Sequence, residues 1–204
     1  MLYFDKQTDS FRIAVWHIVE TLDELLSMLP DEDTVRQELQ QRFRSTSRQL
    51  EWTAVRVLLY TMLGRQVPIL YHENGAPYLP KDEQMDISIS HTRGYAAVAL
   101  TTKGVIGIDI EQISNRVQRV KSRFVRDDES AETITSMLLH WSAKETAYKM
   151  LHRTNVDFLQ HLSIQPFPEQ EEGTLLLRET RTDDKRTLSV NYKVFPDFVL
   201  TYSS

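Results

Sequence analysis

Thr101-Thr102-Lys103-Gly104-Val105-Ile106-Gly107-Ile108-Asp109-Ile110-Glu111 contains a break followed by a strand, and both features organise the chain. Side chains alternate along a strand, so Ile106, Ile108 and Ile110 share one face and Asp109 and Glu111 the other. Two carboxylates about 7 Å apart on one face repel, and a divalent cation relieves that repulsion. A solvated sheet face would carry the same alternation. The break at Thr101 to Gly104 divides the chain into residues 1–101 and 102–204, each holding strands and a long helix. The expected class is therefore α+β, with two similar subdomains.

Upstream of the break, Phe11 to Ile18 reads as a strand. Thr21-Leu22-Asp23-Glu24 has the Thr-x-x-Glu form of a capping box, with Leu22, Leu25, Leu26 and Leu29 facing inward and Pro30 ending the helix. Val35, Leu39 and Phe43 recur every four residues, and a longer helix runs from about Gln49 to Leu63, where Gly64 can terminate it. Glu73-Asn74-Gly75-Ala76-Pro77 is turn chemistry between Ile69-Leu70-Tyr71 and Tyr78-Leu79. Strands follow around Ile87 and Ile89 and over Tyr95 to Thr101. Downstream, Glu132 to Arg153 reads as a helix with Ile134, Met137, Leu138, Trp141, Tyr148 and Leu151 on one stripe. Thr174 to Arg178, Thr187 to Val194 and Phe198 to Tyr202 are strand-like.

Composition narrows the chemistry. The 204 residues are 41% hydrophobic, enough for a substantial core, and the formal net charge of −5 disfavours a general nucleic-acid binder. With no cysteine there is no disulfide, thiolate metal site or thiol nucleophile, so a metal would be a hard ion on carboxylate or histidine. The N-terminus lacks the pattern of a signal peptide, and no segment reaches about 18 uninterrupted apolar residues. A cytoplasmic protein without a membrane span is expected.

Two further segments carry chemistry. In Trp141-Ser142-Ala143-Lys144-Glu145-Thr146-Ala147-Tyr148-Lys149, Glu145 lies one helical turn after Trp141 and Lys149 one turn after Glu145. An ordinary surface pair of Glu and Lys would look the same, but Trp141 draws Glu145 toward the buried side, where a carboxylate needs a partner. Ser88-Ile89-Ser90-His91-Thr92-Arg93-Gly94 ends a strand in a loop rich in donors suited to phosphate oxygens. A lone histidine there would more often be structural.

Taken together and in this order, these motifs resemble the 4'-phosphopantetheinyl transferases. The similarity is to the long, two-subdomain, surfactin-synthetase-activating type found with fatty acid, polyketide and nonribosomal peptide synthesis. It runs from about Arg48 to Lys149. It includes Asn74-Gly75-Ala76-Pro77-Tyr78 and Arg123-Phe124-Val125 with Glu129, while Thr146 stands where Ala or Ser is usual. The resemblance implies two α+β halves related by a pseudo-twofold axis, with coenzyme A in the cleft between them and the metal on the second half. It places Mg2+, or Mn2+, on Asp109, Glu111 and Glu145. It puts Lys144, Lys149, Ser90 and His91 against coenzyme A phosphates. Ala76 replaces a usual Lys or Arg, so Arg48, Arg56 or Arg44 is expected to compensate.

The reaction so implied is attack by a carrier-protein serine on coenzyme A, with Glu145 as base and Lys149 assisting. Glu145 is expected to stay ionised at neutral pH beside the metal and Lys144. Between Gln112 and Arg126 the chain carries Arg116, Arg119, Lys121, Arg123 and Arg126 and no acid. An apo acyl carrier protein or peptidyl carrier domain generally presents an acidic helix, and this segment is expected to meet it, with Val117, Val120 and Phe124 adding apolar contact. A monomer that binds neither nucleic acid nor membrane is expected. The alternatives are a Mg2+-dependent phosphohydrolase and a nucleotide-binding scaffold without turnover.

Overall fold

A computed structural model describes residues 1–151 and 155–204 and divides the chain into two units, Met1–Gly104 and Val105–Ser204. Both are mixed α+β. In the first, strands β1 (Leu2–Gln7), β2 (Phe11–His17), β5 (Asp86–Thr92) and β6 (Tyr95–Thr101) form an antiparallel sheet in the order β1-β2-β6-β5. Helices α1 (Leu22–Ser27), α2 (Glu32–Arg42) and α3 (Thr46–Leu63) belong to the same unit, with a short hairpin of β3 (Leu70–Tyr71) and β4 (Pro77–Tyr78). Strand β1 has no sequence counterpart above, because Asp5, Lys6 and Gln7 interrupt any apolar alternation on this exposed edge.

The local signals behave as their chemistry requires. Thr21 Oγ1 accepts from Glu24 N at 3.3 Å while Glu24 Oε2 accepts from Thr21 N at 2.7 Å, closing the capping box. Gly64 ends α3 at φ +68°, in the left-handed region that other residues enter at a cost, and its N–H bonds Tyr60 O. Val55, Leu58, Leu59 and Met62 of α3 share a core with Ala14, Trp16, Val98 and Leu100 of the sheet. Each fully buried Leu or Val contributes on the order of 1.5–3 kcal/mol.

The second unit opens with β7 (Gly107–Gln112), then 3-10 turns over Asn115–Arg123, helix α4 (Ile134–Leu151), and strands β8 (Leu162–Ile164), β9 (Glu172–Glu179), β10 (Thr187–Val194) and β11 (Phe198–Ser203). Its sheet is antiparallel in the order β7-β11-β10-β9-β8, so the first strand pairs with the last and Asp109 lies opposite Thr201. Helix α4 begins two residues later than the periodicity suggests, because Thr133 Oγ1 accepts from Ser136 N at 2.9 Å and caps it. The expected end at Arg153 lies outside the described residues. Met137, Leu138, Leu151 and the small Ala143 and Ala147 are buried, whereas Tyr148, placed on the inward stripe by the sequence, is 40% exposed. Among the described residues no helix is long and apolar enough to cross a membrane.

Candidate active site

The docking of α4 against β7 and β11 creates the site. A Cβ on Gly107 would lie 2.5 Å from Thr146 O and 2.7 Å from Met150 Cγ, so β7 passes α4 at a separation only glycine permits. Ser142 Oγ and Thr146 Oγ1 lie 2.8 and 2.7 Å from Thr201 Oγ1, all of them buried. The hydroxyl of Thr146, the family departure noted in the sequence, is thus a docking contact. These restraints bring the acidic face of β7 alongside the turn of α4 that carries Glu145 and Lys149.

Asp109 is buried, which overturns the solvated-face alternative, and its Oδ1 accepts from Lys149 Nζ at 2.8 Å. Lys149 Nζ also donates to Ile108 O at 2.8 Å. Glu111 Oε1 accepts from Trp141 Nε1 at 2.8 Å, and the Trp141 ring stands edge-on to Phe124 with centroids 5.2 Å apart. Burial, then the charge of Asp109, raises the Glu111 carboxyl to about 7, with Glu145 adding to the rise and Trp141 and Lys149 opposing it. Glu145 is likewise raised to about 7 by burial and by Asp109, with Lys149 opposing. Without a metal, withdrawal from water and the charge of Asp109 outweigh Lys149, so an ionised Glu145 at neutral pH depends on the cation expected beside it.

Among the described residues no group of three or more His, Asp or Glu side chains is already arranged to hold a metal ion. The donor set nevertheless suits a hard divalent cation, because the charge of Asp109 reaches and raises both Glu111 and Glu145, and one ammonium offsets only part of it.

Lys144 is placed differently from expectation. Its side chain is fully buried, and Nζ donates to Phe124 O at 2.6 Å, Glu129 Oε2 at 2.8 Å and Phe158 O at 3.3 Å. Three donors are thereby used inside the fold, which leaves none for a coenzyme A phosphate. Burial lowers the Lys144 pKa, while Glu129 opposes that shift. In the basic segment Arg116, Arg119 and Arg123 are exposed and Lys121 is half-buried. Val117 and Phe124 belong to the unit's own core, so they cannot supply the apolar contact expected of them, and only Val120 is partly accessible.

Residues 105–203 match the family model of the 4'-phosphopantetheinyl transferase superfamily. This unit is a domain of that superfamily. The family domain gives the chain 4'-phosphopantetheinyl transferase activity, with coenzyme A as the family's substrate and carrier proteins as its acceptors. No curated protein matches the chain. The match extends beyond Lys149 through β8 to β11, where the sequence motifs fall silent but where Thr201 holds α4.

The first unit carries the remaining candidates. Ser90 is buried on β5, and His91 follows it at the strand's exposed end. Arg48 Nη1 lies 3.1 Å from His91 Nε2 and 3.3 Å from Glu51 Oε2, while His91 Nδ1 is 3.5 Å from the same carboxylate oxygen. Glu51 was missed in the sequence, where it is one polar residue of a helix with nothing to pair it across 40 positions to His91. Arg56 is not gathered with them. It lies two turns along α3, about 12 Å from Arg48, with its guanidinium 3.0 Å from the centroid of the Trp52 ring, and it lines a cavity of about 620 Å³ with Arg42, Tyr71 and Tyr78. Burial lowers its pKa to about 10, leaving it charged at neutral pH. Arg44 is exposed on the link between α2 and α3. Of the three arginines expected to compensate for Ala76, Arg48 reaches His91.

Proposed function

We propose that the chain is a Mg2+-dependent transferase of the long, two-subdomain type that moves the 4'-phosphopantetheine arm of coenzyme A to a serine of an apo acyl or peptidyl carrier. The observation that carries this reading is Asp109 paired with Lys149 and close enough to raise both Glu111 and Glu145, inside a superfamily domain. The carrier serine oxygen bonds the β-phosphorus, the bond from that phosphorus to the bridging oxygen breaks, and adenosine 3',5'-bisphosphate leaves. Glu145 accepts the serine proton. Lys149 spends two of its three donors on Asp109 and Ile108 O and keeps one for a phosphate oxygen. Asp109, Glu111 and Glu145 would hold the metal, which supplies positive charge to the phosphate oxygens as they become more negative.

Arg48 and His91 are proposed to meet the nucleotide phosphates. The exposed Arg116, Arg119 and Arg123, with Lys121, are proposed to meet the carrier's acidic helix by charge complementarity. The test is incubation with coenzyme A, Mg2+ and several apo carriers, read by the mass of the carrier. Wild type should add one phosphopantetheine, and Asp109→Ala and Glu145→Gln should each lower the rate by about 100-fold or more. Full activity in those variants, or no transfer to any carrier, would defeat the proposal. Consumption of coenzyme A without carrier would indicate a phosphohydrolase instead.

A further inference from the structure

We propose that Lys144 is a positioning residue that latches the arginine-bearing segment to the helix carrying Glu145. A 3-10 run is seldom stable beyond three or four residues because its hydrogen bonds are poorly aligned, yet here it extends over nine, Asn115–Arg123. Its inward anchors are Val117 and, just past its end, Phe124. Phe124 is also the residue whose carbonyl receives the Lys144 ammonium at 2.6 Å. The ammonium's ionic partner, Glu129, accepts from Arg126 N at 2.9 Å through Oε2 and from Ile164 N at 2.6 Å through Oε1. One buried ion pair therefore ties together the end of the basic segment, the turn after it, strand β8 and helix α4.

The same end of the segment meets the metal face by a second route, since the Phe124 ring abuts Trp141, which holds Glu111. Lys144 is adjacent in sequence to Glu145. Fixing Phe124 O to Lys144 thus fixes the arginines relative to the base that must receive the carrier's serine proton. This inference rests on the proposed docking of the carrier to Arg116 and Arg119, and it assigns Lys144 to acceptor positioning rather than to phosphate contact.

Removing one charge alone would strand the other in the interior, so the informative variant is the apolar pair Lys144→Met with Glu129→Leu. Lys144→Gln with Glu129→Gln, which also removes both charges but keeps polar groups in place, carries the same test if the apolar pair fails to fold. The measurements are amide hydrogen exchange across residues 115–126 and separate KM values for carrier and coenzyme A. The expected result is faster exchange across that segment and at Ile164, with the carrier KM raised by about tenfold and the coenzyme A KM within about twofold of wild type. A raised coenzyme A KM with an unchanged carrier KM, or amides that stay protected, would overturn the latch. If the amides loosen while Arg116→Glu with Arg119→Glu leaves the carrier KM unchanged, the docking reading falls and the latch stands.

Discussion

Replacing Glu145 with glutamine should stabilise the metal-free protein, and the gain should depend on pH in a direction fixed by the site. The Glu145 carboxyl is raised from an ordinary 4.5 to about 7 in the folded chain. A carboxyl with a raised folded pKa binds its proton more tightly in the native state than in the unfolded one. Its contribution to stability is fully present below 4.5 and is lost as pH climbs through about 7. At ~1.4 kcal/mol per pH unit, ionising Glu145 costs the folded protein up to about 3 kcal/mol. Glutamine keeps the shape and has no charge to bury. In urea denaturation with chelator present, Glu145→Gln should match wild type near pH 4.5 and exceed it by about 1–3 kcal/mol at pH 8. Adding Mg2+ should stabilise wild type more than the variant and narrow the gap. A difference that stays constant with pH, or a variant less stable than wild type at pH 8, would refute the assigned cause. Such a gain at the cost of activity is common where a site concentrates like charges.

Gly107→Ala should destabilise by about 1–3 kcal/mol and depress transfer, because the new methyl meets Thr146 O and Met150; thermal unfolding and carrier loading read the two effects. Thr201→Val should cost about 1–3 kcal/mol in denaturant unfolding, since Ser142 and Thr146 then face a methyl group in a buried place. Arg116→Glu with Arg119→Glu should raise the carrier KM and leave the coenzyme A KM unchanged, as steady-state kinetics at low salt would show; equal effects on both would count against the docking surface.

Much of this architecture could be read from periodicity and local chemistry. The capping box at Thr21, the stop at Gly64 and the strand carrying Asp109 and Glu111 each follow from a few adjacent residues. What escaped depends on residues far apart in the chain. The fate of Lys144 is set by Glu129 and by two carbonyls, and a family motif gives no sign of which way a lysine points from its helix. Val117 and Phe124 looked like apolar contacts among arginines because alternation does not tell a partner's surface from the chain's own core. The three-residue strand β8 is too short to show a period, and β1 is too polar. Around Glu145 the neighbouring charges were visible in the sequence, but the depth of burial was not.

The three hydroxyls between α4 and β11 have a consequence for mechanical precision. Hydrophobic packing is non-directional, so a helix resting on a sheet through methyl groups alone can creep by fractions of an ångström at small cost. Hydroxyl bonds are directional and short-ranged. Sliding α4 by part of a turn would break the bonds of Ser142 and Thr146 to Thr201 together before any substitute partner came within reach. The helix is thereby indexed, with one allowed notch and steep walls on either side. Glu145, sitting between Ser142 and Thr146 in sequence, inherits the tolerance of that notch rather than that of the surrounding oil.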